Sequence, residues 1–173
     1  MIQIIWDFII NFFNCEDTFS YACRIGNLDL AKKIYNSRDI DKYEIEEGFI
    51  DSCINNYLHI AKWILSLDKI SVHCNNDGAF RLCCCKGNLE IAQWLVSLPE
   101  KPYINSYIDG FMWASEEGHL SVAKWLHSLG EEYICDEIDI KQFYERHFNN
   151  QITKGNFDMA IWFRELKKTQ KFE

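Results

Sequence analysis

Proline and glycine are scarce: 2 and 8 among 173 residues. That excludes collagen-like and Gly/Pro-rich low-complexity chains. Basic charge is in deficit, with 18 Lys and Arg against 26 Asp and Glu, a net charge of -8. Affinity for nucleic-acid phosphates rests largely on clustered Lys and Arg, so no nucleic-acid partner is expected. The same deficit argues against an anionic membrane surface. The most apolar stretch, MIQIIWDFIINFF, carries Asp7 and falls short of the ~20 residues that a membrane helix needs. It also lacks the basic start and small-residue cleavage site of a secretory signal. The composition is 48% hydrophobic, 25% charged and 15% aromatic, which is that of a globular chain of one-domain length.

Cysteine is plentiful, eight in all, yet no C-x-x-C pair occurs and three are consecutive, Cys83, Cys84 and Cys85. Adjacent cysteines bridge poorly, and neighbouring helical residues diverge by about 100°. Free thiols in a reducing cytoplasm are expected. No H-E-x-x-H, P-loop, G-x-G-x-x-G or G-x-S-x-G motif is present. Glu116 and Glu117 are adjacent, and side chains that diverge on a helix make a poor catalytic pair. The expectation is therefore no catalytic residue, no metal and no cofactor.

What the chain does have is a repeat. The segments FSYACRIGNLDLAKKIY, FIDSCINNYLHIAKWIL, FRLCCCKGNLEIAQWLV, FMWASEEGHLSVAKWLH and FNNQITKGNFDMAIWFR align without a gap. They begin at Phe19, Phe49, Phe80, Phe111 and Phe148, at intervals of 30, 31, 31 and 37 residues. A second column reads Gly26, Asn56, Gly87, Gly118 and Gly155. A third is alanine throughout, at 31, 61, 92, 123 and 160, and a fourth reads Lys33, Trp63, Trp94, Trp125 and Trp162.

Each unit reads as two helices. The first is expected to run about two turns, from the Phe to just before the Gly column. That column calls for a left-handed backbone, which Gly adopts freely and Asn tolerates, so Asn56 is the departure such a position allows. The second helix is amphipathic: Leu89, Ile91, Ala92, Trp94, Leu95 and Leu98 recur at spacings of three and four. The Trp column is expected to be structural, packed in the core or between repeats, and Trp94→Ala to cost about 3–5 kcal/mol. Glu47-Gly48, Asp77-Gly78 and Asp109-Gly110 precede the Phe and read as a helix cap followed by a turn. Stretches such as DKISVHCNN and PEKPYINSY read as turn or hairpin connectors.

Helix, tight turn, helix and connector at a period near 30 resembles the ankyrin repeat. The residues that carry the resemblance are G-N-L-E-I-A-Q-W-L at Gly87–Leu95 and G-H-L-S-V-A-K-W-L at Gly118–Leu126. The small pairs Ala22/Cys23, Ser52/Cys53, Cys83/Cys84 and Ala114/Ser115 add to it. The Phe-plus-Trp variant is similar to ankyrin proteins of large DNA viruses that infect amoebae. Two features depart from the family: T-P-L-H is absent, with Ala79-Phe80-Arg81 in its place, and the period is two to three residues short of 33, which implies reduced fingers.

The resemblance implies an all-α, ankyrin-type solenoid of stacked repeats with capping helices at both ends. It forms a single ankyrin-repeat domain over 1–173. Residues 1–18 are an N-terminal cap, the repeats lie near 19–47, 48–78, 79–109 and 110–135, and 136–173 is an extended C-terminal repeat and cap. In residues 2–14 the polar side chains Gln3, Asp7, Asn11 and Asn14 form one stripe on an otherwise apolar helix. That fits a cap packed on repeat one. The alternative is a helix that drives self-assembly or membrane docking and makes the chain a structural subunit. Near the C-terminus, Asp136 suits an N-cap for a first helix lengthened by Ile140, Phe143, Tyr144 and His147.

A solenoid without catalytic chemistry points to recognition of a protein partner by a monomer, in the cytoplasm, or in the host cytosol if the chain is viral. The partner-facing positions are expected on the concave face, along the first helices. The two residues before the Gly column share no chemistry from repeat to repeat, whereas the packing columns barely change. The candidate residues are Arg81, Lys86, Met112, Trp113, Glu116 and Glu117. Trp113 beside the acidic pair is the expected anchor; the competing expectation is that Trp113 fills the groove between first helices.

Overall fold

The computed structural model describes residues 18–129 and 140–169. The expected cap helix over residues 2–14, nearly all of the cap at 1–18, and the expected N-cap Asp136 lie outside them. The described residues are all-α, with ten helices and no strand. These are α1 (Phe19–Arg24), α2 (Leu28–Ser37), α3 (Lys42–Ile54), α4 (Leu58–Leu65), α5 (Cys74–Lys86), α6 (Leu89–Ser97), α7 (Ile104–Glu117), α8 (Leu120–Ser128), α9 (Ile140–Lys154) and α10 (Phe157–Thr169). The chain divides into two compact units, the first ending at Ala79 and the second beginning at Phe80.

The aligned columns decide the local structure. Gly26, Asn56, Gly87, Gly118 and Gly155 all have φ between 64° and 83°, the left-handed backbone expected of them. Each one reverses the chain between a first and a second helix. The N–H of the following residue then donates to a carbonyl five positions back, as in Asn27 to Ala22 (3.0 Å), Tyr57 to Ser52 (2.8 Å) and His119 to Ala114 (2.8 Å). This six-to-one bond satisfies a first-helix carbonyl that would otherwise lack a partner. The alanine column is buried in all five repeats. The Phe column is buried in four, at 19, 49, 80 and 111, and Phe148 is half-buried.

In the first unit α1 packs on α2, α3 on α4, and α1 on α3. In the second unit α7 packs on α8, α9 on α10, and α9 on α7. The pattern is helix pairs joined through their first helices.

Three of the first helices, α3, α7 and α9, are longer than the two turns expected. Both α3 and α7 begin seven residues before the Phe, and α9 eight before. Glu47-Gly48 and Asp109-Gly110 therefore sit inside helices rather than ahead of them, whereas Asp77-Gly78 falls at a left-handed turn. Asp41 caps α3, its side chain accepting from the Glu44 N–H at 2.8 Å. Gly48 and Gly110 serve close approach instead of a turn. A Cβ on Gly48 would come within 2.7 Å of the Phe19 ring, and one on Gly110 within 3.0 Å of Cys84 Sγ. The acidic partners go elsewhere: Asp109 meets Arg81, and Asp77 meets His73 Nδ1 at 2.6 Å. Glu44 of the second repeat supplies an unforeseen cap. Its Oε1 accepts from the Phe19 N–H (2.9 Å) and from Arg38 Nη2 (2.6 Å).

The segment read as the connector DKISVHCNN ends in a left-handed turn. Asn75, Asn76 and Asp77 have φ of 51°, 54° and 58°. Asn and Asp are the non-glycine residues that tolerate this conformation.

The Trp column is half-buried, and the next position is the core residue: Ile64, Leu95, Leu126 and Phe163 are all buried. Trp63 packs between repeats as expected, with ring centroids 5.9 Å from both Phe19 and Tyr35. Trp162 likewise lies 5.6 Å from His127. Partial exposure lowers the expected cost of truncating these rings below that of a fully buried one. Three residues after each of Trp63, Trp94 and Trp125 stands a serine whose Oγ donates back to the Trp carbonyl, at 2.6, 2.6 and 2.7 Å. This W-x-x-S column is visible in the sequence once the Trp column is set.

Candidate partner-binding surface

Of the six residues picked from the sequence, Arg81 and Lys86 lie on α5 and Met112, Trp113, Glu116 and Glu117 on α7, all in the second unit. Four of them form two small clusters. The Arg81 guanidinium carbon sits 5.4 Å from the centroid of the Trp113 ring, and Arg81 Nη1 lies 3.4 Å from Asp109 Oδ2. Trp113 is half-buried. It stacks against the neighbouring first helix, so it contributes to packing between helices while keeping an accessible face. A cation over an aromatic face is attracted by the ring quadrupole, which orients Arg81.

The acidic pair meets the last repeat. Lys154 Nζ donates to the Glu116 carbonyl at 2.6 Å and lies 3.9 Å from Glu117 Oε1. Gln151, fully buried where other repeats carry a small residue, donates from Nε2 to the Ser115 (2.7 Å) and Glu116 (3.1 Å) carbonyls. Its Oε1 accepts from Asn156 Nδ2 at 2.7 Å. Gln151 therefore closes the C-terminal end of α7 by satisfying carbonyls that the helix leaves open. Glu117 and Lys86 remain exposed, and Met112 is half-buried. The arrangement holds charge and aromatic surface on first helices and brings no nucleophile against a base.

Among the described residues Cys23, Cys53, Cys74, Cys83 and Cys84 are buried, and Cys85 is partly exposed. Burial pushes the Cys23 and Cys74 thiols up to about 12 and Cys84 higher still. Cys85 is raised too, first by burial and then by Glu117, against the opposing charge of Lys86. A raised thiol is a poor nucleophile at neutral pH. Among the described residues no three His, Cys, Asp or Glu side chains converge as a metal site, and no helix is long and apolar enough to cross a membrane.

The sequence reading missed a cleft in the first unit, with a volume of about 540 Å³. Its walls come from α1 and α3 with Asn75 of α5 beside them, and include Arg24, Tyr43, Glu46, Glu47, Ile50 and Asp51. Tyr43 is 68% exposed, and its hydroxyl bonds to Glu47, which raises its pKa. Asp51 is also raised: burial is the main cause, Glu47 adds to it and Arg24 opposes it. The available signal was the acidic character of E-I-E-E-G-F-I-D, of which only Glu47-Gly48 was read above, as a cap and turn, because the first helix was expected to start at Phe49.

Comparison with family models finds no match, and comparison with curated proteins finds none either.

Proposed function

We propose that this chain is a non-enzymatic, ankyrin-type recognition module that binds a protein partner through the faces of its first helices, in the reducing cytoplasm. One observation carries the reading: scaffold columns and variable columns separate along the same helices. The Ala column fills the interior in all five repeats and the Phe column in four, and the Gly column keeps its left-handed backbone. The two residues just before that column stay wholly or partly exposed and share no chemistry. They are Arg24/Ile25, Ile54/Asn55, Cys85/Lys86, Glu116/Glu117 and Thr153/Lys154. Variation confined to accessible positions on an invariant frame suits a surface shaped by its partner.

The test pairs Trp113→Ala with Glu117→Lys and reads capture of interacting protein from a cell extract beside a thermal melt. Glu117 is an exposed residue, and exposed ion pairs such as Glu117–Lys154 are worth at most about 1 kcal/mol. The charge reversal therefore leaves the fold intact. Loss of capture by a folded variant supports the reading. Full capture by that variant removes this face as the binding surface.

A further inference from the structure

The first-unit cleft combines features that packing alone does not require. Tyr43, Glu47 and Asp51 are spaced four residues apart on α3, so they form one stripe along the helix. The stripe lines the cleft, with Ile50 beside it as an apolar wall. Glu47 and Asp51 are like charges at a spacing that destabilises a helix when nothing bridges them. Glu46 has Lys42 Nζ at 3.6 Å, and Arg24, a cleft residue whose charge acts on Asp51, holds its guanidinium 5.5 Å over the Tyr21 ring. Cationic charge is thus less than the three carboxylates around the cleft. A large aromatic face also stands in solvent at Tyr43.

We propose that this cleft receives an arginine side chain from a basic segment of the partner protein, its guanidinium bridging the Glu47 and Asp51 carboxylates and stacking on Tyr43. The identification rests on the recognition reading above and names its partner's chemistry. Three complementarities select the occupant. A planar guanidinium donates to two carboxylates at once, where a lysine ammonium acts as a point charge. Its flat face suits an exposed tyrosine ring. Its methylene stem fits against Ile50.

The test measures fluorescence anisotropy of the full chain with a labelled peptide of alternating glycine and arginine, against the matching glycine-lysine peptide. The arginine peptide is expected to bind more tightly. Glu47→Gln with Asp51→Asn should weaken it by about tenfold. Asp39→Asn with Glu90→Gln removes two exposed charges outside the cleft and should weaken it by less than about twofold. Tyr43→Ala, a substitution at an exposed side chain, should erase the preference for arginine over lysine. Equal weakening by both double variants would reduce the interaction to diffuse attraction and overturn the assignment. An arginine preference that survives Tyr43→Ala would overturn it too. If no peptide binds while capture still depends on Trp113 and Glu117, the cleft assignment fails and the recognition reading stands.

Discussion

Replacing the left-handed glycines with alanine should cost different amounts at different repeats, because only some of them lie under a neighbouring side chain. Gly155 has φ of 81° and open space where a Cβ would stand. Gly155→Ala therefore carries only the left-handed penalty of an L-residue, about 1–2 kcal/mol. Gly26 has φ of 78°, and its Cβ would lie 2.5 Å from the Tyr57 ring. Ordinary carbon contacts are about 3.5–4.0 Å, so ring or backbone must move by more than about 1 Å. Overpacking of that kind adds about 1–3 kcal/mol, which brings Gly26→Ala to about 2–5 kcal/mol, a large share of a typical domain's ~5–15 kcal/mol. Gly87 belongs with Gly26, since its Cβ would meet His119 Nδ1 at 2.6 Å. Asn56 already occupies the column with φ of 64°, so Asn56→Gly should be neutral or slightly stabilising while Asn56→Ala costs about 1 kcal/mol. Urea unfolding followed by circular dichroism measures the series. Combining Gly26→Ala with Tyr57→Ala should return the overlap share as a coupling energy of about 1–3 kcal/mol. Equal costs at Gly26, Gly87 and Gly155 would refute the reasoning, because the backbone penalty would then be acting alone.

Trp63→Ala removes a half-buried ring packed on Phe19 and Tyr35 and should cost about 2–3 kcal/mol, below the ~3–5 kcal/mol of a fully buried aromatic; a urea midpoint equal to wild type would show that the ring does not join the repeats. Burial holds the His147 imidazole below its ordinary pKa, with Arg146 and Lys154 adding to the effect and Glu116 opposing it. The unfolded histidine, with a pKa of about 6.5, then binds more protons than the folded one, so stability should fall as pH drops from about 7.5 through 6.5 toward 5.5. His147→Gln should flatten that portion of the urea midpoint against pH curve, and an unchanged slope would exclude His147 as its source. Thiol labelling of the native chain, mapped by mass spectrometry, should modify Cys85 well before Cys23, Cys74 or Cys84, whose thiols are buried and raised; rapid labelling of those three would contradict their burial.

The recurring columns made the helix pairs, the reversals at Gly26, Gly87, Gly118 and Gly155, and the alanine interior legible in the amino-acid order alone. A left-handed residue and a buried methyl are demands that each repeat makes in the same way, so they leave a periodic trace. Asn56 was legible for the same reason, as the non-glycine residue that such a backbone tolerates. The tertiary structure decided what depends on a neighbour. Gly48 was read as a turn because its need, room for the Phe19 ring, comes from another repeat. Glu47 was read through an assumed helix start, and became with Asp51 the wall of a cleft only when α3 proved to begin at Lys42. Gln151 stood out as a departure from the small column, but the Ser115 and Glu116 carbonyls it satisfies lie more than thirty positions away. The Trp column was expected in the core or between repeats; Trp63 and Trp162 stand between repeats, and the half-exposure of the column depends on which side of the second helix faces the core. A periodic column reports what a residue type must do locally, whereas the degree of burial and the partner across a packed interface are set by the chain that folds against it.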